Sequence, residues 1–317
     1  MRVLVTGGAG AIGSHLVEAL LARGDEVAVL DSFHDFYPRA HKERNLESPR
    51  AHKLFAGLFE GDIRDEAFVG DTLSRVEPES VFHLAARAGV RPSVEAPLDY
   101  ADVNLRGTAV VSTLSAAAGV SRFVFASSST VYGENAALPW SEDGDTSSQL
   151  SPYGATKRGG ELFLYGLRPS AEMAVTCLRF FSVYGPRQRP DLVIPIFTRR
   201  MIEGEKLPIL GDGKQQRDLT YVDDVVDGTI RAHDRTKGFH VYNLGRGRPA
   251  RLDRVIELLE HELGISAERQ ELPAHGADIL CTCASIDRAR DELGYSPDVD
   301  LEEGIHNTVA WIRDQAA

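Results

Sequence analysis

The chain has 317 residues, 43% hydrophobic and 26% charged, which suffices for a large core and is ordinary for a globular protein. Its 35 basic and 47 acidic side chains leave a formal net charge of −12, which argues against a general nucleic-acid surface. No apolar run approaches the roughly 18–20 residues that span a bilayer, so no membrane role is expected. The sparse cysteines Cys177, Cys281 and Cys283 point to a reducing cytoplasm without a disulfide framework or a metal site.

In chain order, apolar spacing predicts a strand over residues 2–6, a helix over 11–23 and a second strand over 26–30 that ends at Asp31. Further short strands are predicted at 53–56, 80–84, 122–126 and 175–180, with helices over 98–118 and 152–166. Strands alternating with helices imply an α/β chain with a doubly wound, Rossmann-like parallel sheet. Beyond Phe180 the rhythm changes. Residues 183–190 are rich in Gly, Pro and Arg, 207–216 read as a polar, turn-rich segment, and helices are predicted over 251–263 and near 301–313. The expected division is a dinucleotide-binding domain over 1–180, joined by about 218–245, and a smaller lobe from 181–217 and 246–317 over the sheet's carboxyl edge.

Gly7-Gly8-Ala9-Gly10-Ala11-Ile12-Gly13 lies between the first predicted strand and helix. Small residues there let backbone approach a pyrophosphate, and the helix start offers unpaired N–H groups and a positive dipole end. A tight strand-to-helix turn would use the same glycines. Asp31 stands where an acid would meet the adenosine ribose hydroxyls; it would repel a 2′-phosphate, so NAD is favoured over NADP. Asp62 and Ile63, after the third strand, are candidates for adenine contact or for an ordinary surface turn.

Tyr153 and Lys157 are four apart on a predicted helix, which puts phenol and ammonium on one face. There Lys157, with the positive nicotinamide ring, is expected to ease deprotonation of the phenol so that it serves as general base. Upstream, the hydroxyls of Ser128 and Thr130 fall at the carboxyl end of a strand, positioned to hydrogen-bond the reacting oxygen.

Taken together, TGGAGAIG, Asp31, His83-Leu84-Ala85-Ala86, Asn104, SSSTVYG, the Tyr153/Lys157 pair and Arg179-Phe180-Phe181-Ser182-Val183-Tyr184-Gly185-Pro186 resemble the extended short-chain dehydrogenase/reductase family. More narrowly they are similar to its NAD-dependent nucleotide-sugar epimerases. The resemblance implies a catalytic set of Ser128, Tyr153 and Lys157 with Thr130 beside it. It implies cofactor contacts from Gly7, Gly10, Ala11, Ile12, Gly13, Asp31, Asp62, Ile63, Leu84, Ala85, Ala86 and Asn104, besides Tyr153 and Lys157. Arg217 matches an arginine that holds a nucleotide diphosphate.

The dehydratase and decarboxylase branches place acids where this chain has Ser129 and Thr130, so epimerisation at carbon 4 of a UDP-sugar is the implied reaction. The segment Asp31-Ser32-Phe33-His34-Asp35-Phe36-Tyr37-Pro38 and the loop Ala88-Gly89-Val90-Arg91 resemble the glucuronate branch, with UDP-glucose as the alternative substrate. Ser182, Arg189 and Arg91 are then candidate substrate contacts, the first two for a sugar carboxylate. Near the C-terminus the family usually has Arg before a Gly-Asp pair. This chain has His275 there, keeps Asp278 as a candidate contact, and has Ser285 where an Asp is usual. Relatives commonly form homodimers through helices that 98–118 and 152–166 resemble. A non-catalytic NAD sensor on the same fold would not need the intact hydroxyl, Tyr and Lys.

Overall fold

The computed structural model describes residues 1–133, 136–168, 172–273 and 279–316. Its strands are β1 (Arg2–Thr6), β2 (Glu26–Asp31), β3 (Phe55–Glu60), β4 (Ser80–His83), β5 (Arg122–Ser128), β6 (Ala174–Phe180), β7 (Ser182–Tyr184), β8 (Leu207–Leu210), β9 (Gln216–Arg217), β10 (Leu219–Tyr221), β11 (Phe239–Leu244), β12 (Ala250–Arg251) and β13 (Arg269–Leu272). The helices are α1 (Ala11–Arg23), α2 (Arg39–Asn45), α3 (Glu47–Ala51), α4 (Glu66–Val76), α5 (Val90–Glu95), α6 (Pro97–Tyr100), α7 (Gly107–Ala117), α8 (Pro152–Leu167), α9 (Val193–Ile202), α10 (Val222–Arg235), α11 (Leu252–Leu263) and α12 (Leu301–Ala316).

Seven strands form one parallel sheet in the order β11-β6-β5-β4-β1-β2-β3. The central strands are apolar throughout because helices cover both faces; Val3, Leu4, Val5, Val81 and Phe82 are fully buried. Chain order reverses between β1 and β4, which opens a crevice beyond their carboxyl ends. One core joins β1 and β2 through α1 to Tyr184, Ile194, Val255 and Ile305, so the C-terminal helices pack on the sheet's own core. Two-stranded pairs β10–β7, β12–β9 and β13–β8 build the region over the sheet's carboxyl edge.

Three elements differ from the sequence-based expectation. The third strand is Phe55–Glu60 and not residues 53–56: Gly57, which reads as a breaker, lies inside it at φ +134 where the register with β2 shifts by a bulge. Residues 207–216 are not all turn, since Leu207–Leu210 pairs in parallel with Arg269–Leu272. The helix expected over 98–118 is broken into α6, a π-helical turn at Ala101–Arg106 and α7. Among the described residues no helix is long and apolar enough to cross a membrane.

Candidate active site

A cavity of about 880 Å³ opens over the carboxyl ends of β1, β4 and β5. At its floor, Gly7 sits at φ +72, and a Cβ there would lie 2.7 Å from the amide nitrogen of Ala85. A Cβ on Gly13 would overlap the Gly7 carbonyl oxygen, so the turn and α1 can meet only as glycines. Helix α1 starts at Gly10 with no side-chain cap, leaving its first N–H groups directed at the cavity floor. Gly7, Gly10, Ala11, Ile12 and Gly13 all line the cavity. This uncapped cradle is the shape and polarity that a pyrophosphate requires.

Asp31, at the end of β2, is fixed by hydrogen bonds from the backbone N–H of Ala9 (3.1 Å) and of Phe33 (2.8 Å). Lys42 on α2 stands 3.9 Å from the same carboxylate and donates to the carbonyl of His34 (2.9 Å). Asp62 reaches the cavity, but its carboxylate is gripped by Arg64 (2.7 Å), whose hydrogen bonds hold it below the usual acid range against burial. Ile63, Leu84, Ala85 and Ala86 line the same wall. Asn104 does not. Its carboxamide accepts from the Arg87 N–H (2.7 Å) and donates to the Arg87 carbonyl (3.0 Å) and the Thr156 hydroxyl (3.0 Å), so it clasps the loop after β4 to α8.

Helix α8 begins at Ser151, whose hydroxyl accepts from the Gly154 N–H (3.1 Å), with Pro152 in the first turn. That start brings Tyr153 and Lys157 to the cavity wall. Thr130 donates to the Ser128 hydroxyl from both its backbone N–H (3.2 Å) and its own hydroxyl (3.0 Å). Ser128 in turn faces the Tyr153 phenol closely enough to pull its pKa down. Thr130 thus bonds Ser128 and itself lines the cavity with Tyr153. Burial raises the phenol above its ordinary value, opposed by Ser128 and then by the Arg189 cation. The Lys157 ammonium donates to the Ala126 carbonyl (2.7 Å) and, being buried, is depressed to about 7.

Arg189 closes the other side of the cavity. Its guanidinium forks onto Asp191 (3.0 and 2.7 Å), donates to the Ala88 carbonyl (3.0 Å) and lies 4.7 Å over the Phe36 ring. Ser182 on β7 lines the wall, and Arg91 on α5 lies at the exposed rim. Arg217 also lines the cavity, with a guanidinium nitrogen turned to the carbonyls of Gln216 (2.9 Å) and Ile279 (2.7 Å). His275 and Asp278 lie outside the described residues; Ser285 does not line the cavity and bonds Asp287 (3.2 Å).

Several lining residues carried no signal in the sequence. Lys42 meets the Asp31 wall, its ammonium over the Tyr37 ring, only because the segment after β2 folds back over it. The far end is apolar, built from Pro208, Leu210, Leu252, Val255 and Leu272, and it exists only through the β8–β13 pairing.

Residues 3–245 match the model of the NAD dependent epimerase/dehydratase family. The chain is 38% identical over 312 residues to UDP-glucuronate 4-epimerase of Thermodesulfobacterium geofontis, covering 98% of this chain and 96% of that protein. It is 38% identical to UDP-glucuronate 4-epimerase 1 of Arabidopsis thaliana, covering 98% and 76% respectively. The crystal structure of UDP-glucuronic acid 4-epimerase from Bacillus cereus, in complex with UDP-glucuronic acid and NAD, aligns at TM-score 0.93 and 34% identity over 99% of this chain and 100% of that one. UDP-glucose 4-epimerase from Thermotoga maritima with UDP-glucose aligns at TM-score 0.91 and 36% identity over the full length of both. With a glycine cradle, a fixed acid and a Ser–Tyr pair in one cavity, and with this likeness end to end, the chain belongs to the NAD dependent epimerase/dehydratase family.

Proposed function

We propose that this enzyme inverts carbon 4 of a UDP-sugar through a transient 4-keto intermediate, converting UDP-glucuronate to UDP-galacturonate with NAD as cofactor. The observation that carries the reading is one cavity with the glycine cradle at its floor, the Ser128–Tyr153 pair on its wall and Arg189 opposite. The full-length similarity to UDP-glucuronate 4-epimerases selects the acid sugar over UDP-glucose.

When bound, NAD takes the hydrogen of carbon 4 with its electron pair and gives it back. Gly7, Gly10, Ala11, Ile12 and Gly13 would hold its pyrophosphate and Asp31 its ribose, beside Asp62, Ile63, Leu84, Ala85 and Ala86. Asn104 keeps its place in this scheme as the clasp between that wall and α8, not as a direct contact. Tyr153 takes the proton of the 4-hydroxyl and returns it after the sugar has turned. Ser128 steadies the same oxygen, Thr130 orients Ser128, and Lys157 supplies positive charge beneath the phenol. Ser182 and Arg189 grip the sugar carboxylate, which also disfavours loss of carbon dioxide from the β-keto acid. Arg217 and Arg91 serve the diphosphate end, with Asp278 a further candidate there.

In this reading the dinucleotide part spans 1–180 with about 218–245, and 181–217 with 246–317 hold the nucleotide sugar. A homodimer is the assembly we favour: Val94, Leu98, Leu105, Leu162 and Phe163 are exposed apolar side chains on neighbouring stretches of α5 to α8. Three free cysteines suit a cytoplasmic setting. Incubation with UDP-glucuronate and with UDP-glucose, followed by NMR of the products, tests the reaction. UDP-galacturonate is expected; conversion of UDP-glucose alone would overturn the substrate.

A further inference from the structure

The sugar must present its opposite face to the cofactor between the two half-reactions. As the ring turns, a carboxylate on carbon 5 swings away from the group that first gripped it. The grip therefore has to be released, and the guanidinium left behind is a largely buried cation, which is costly without an anion. Arg189 is built to survive that interval. Three of its five N–H donors are used, two on Asp191 (3.0 and 2.7 Å) and one on the Ala88 carbonyl (3.0 Å). The remaining two belong to Nη1 and Nη2. The Phe36 ring, 4.7 Å away, and the Ala88 carbonyl hold the group in place from the strap after β2 and the loop after β4. Asp191 itself lines the cavity with its side chain 42% exposed, against 16% for Arg189, so it is the more accessible partner of the pair.

We propose that Asp191 is a positioning residue: a resident counter-ion that takes up the charge of Arg189 whenever the substrate carboxylate leaves it, so that the keto sugar can turn. This rests on the carboxylate reading of Arg189 given above. Without Asp191 the substrate carboxylate would be the guanidinium's only anion, bound more tightly and released more slowly.

The test uses the full-length enzyme loaded with NAD. Asp191→Asn is expected to lower KM for UDP-glucuronate roughly three- to fivefold, the scale of one partly exposed charge pair. It should lower kcat by about tenfold, because release now limits turning. The inhibition constant of UDP, which has no sugar carboxylate, should stay constant, and Asp191→Glu should restore both parameters. An unchanged or raised KM, or a UDP inhibition constant that moves with it, would overturn the counter-ion role. Arg189→Ala separates the two claims. If it leaves KM for UDP-glucuronate unchanged, the carboxylate reading itself fails; if it raises KM while Asp191→Asn alters nothing, only the role of Asp191 fails.

Discussion

Lys157 and Glu161 lie one turn apart on α8, both buried, and their surroundings treat the two charges in opposite ways. The Glu161 carboxylate accepts from the Ser127 hydroxyl (2.6 Å), from Arg158 (2.9 Å) and twice from Arg179 (2.9 Å each). Burial alone would raise its pKa, but the Arg179 bonds outweigh it and keep the group ionised. Among the described residues, Lys157 has one carbonyl for its three donors and no carboxylate in contact. A saturated charge ties α8 to β5 and β6, whereas an under-satisfied one is primed to respond to whatever enters the cavity. The same helix thus holds still at one turn and reacts at the next.

The sharpest way to break the reactive turn is Tyr153→Phe, which keeps the ring packed on Tyr100 and removes only the hydroxyl. Turnover should fall about 10³-fold or more, with melting temperature and NAD binding retained. Full activity in that variant would remove the phenol from the chemistry. At the saturated turn the expected loss is in folding. Glu161→Ala strands Arg179, itself 2% exposed, and should cost about 3–5 kcal/mol in urea denaturation. A loss below about 1 kcal/mol would mean that water replaces the carboxylate.

Lys157→Met exposes the contrast through pH. The folded protein holds Lys157 at about 7 against an ordinary 10.5, so between those values the unfolded chain binds the proton more readily. Stability from this position is therefore lowest below about 7 and recovers as pH rises toward 10.5. For the NAD-free enzyme the gain between neutral and mildly alkaline pH should be on the order of 2 kcal/mol larger in wild type than in Lys157→Met. Equal slopes would show that the ammonium is solvated after all.

These differences mark what could be read from residues alone. The Tyr153/Lys157 pair and the glycine turn are local, each written within one turn of chain, and each lies where its spacing placed it. Glu161 was invisible because its meaning comes from Ser127 and Arg179, brought beside it only by the sheet. Asn104 was legible as a residue but not as a contact: its amide is consumed by Arg87 and Thr156 through a π-helical turn that spacing does not foretell. The apolar end of the cavity failed for a similar reason. Pro208 looks like a turn former until Arg269–Leu272 pairs alongside Leu207–Leu210, whereas Gly211 and Asp212 do form the turn that follows. The third strand was misplaced because Gly57 reads as an end when it is a bulge.

The smallest effect concerns the hydroxyl chain that joins the two behaviours. Thr130 donates to Ser128 (3.0 Å) and Ser128 faces Tyr153, so a neutral relay also eases the phenol. Removing the first hydroxyl by Thr130→Val leaves the backbone N–H of residue 130 on Ser128 (3.2 Å), so orientation is only partly lost. One neutral hydrogen bond of this kind is worth about 1 kcal/mol, which predicts a kcat lowered roughly fivefold at unchanged KM. A raised KM with kcat intact would mean that Thr130 touches the sugar itself, and the relay would end at Ser128.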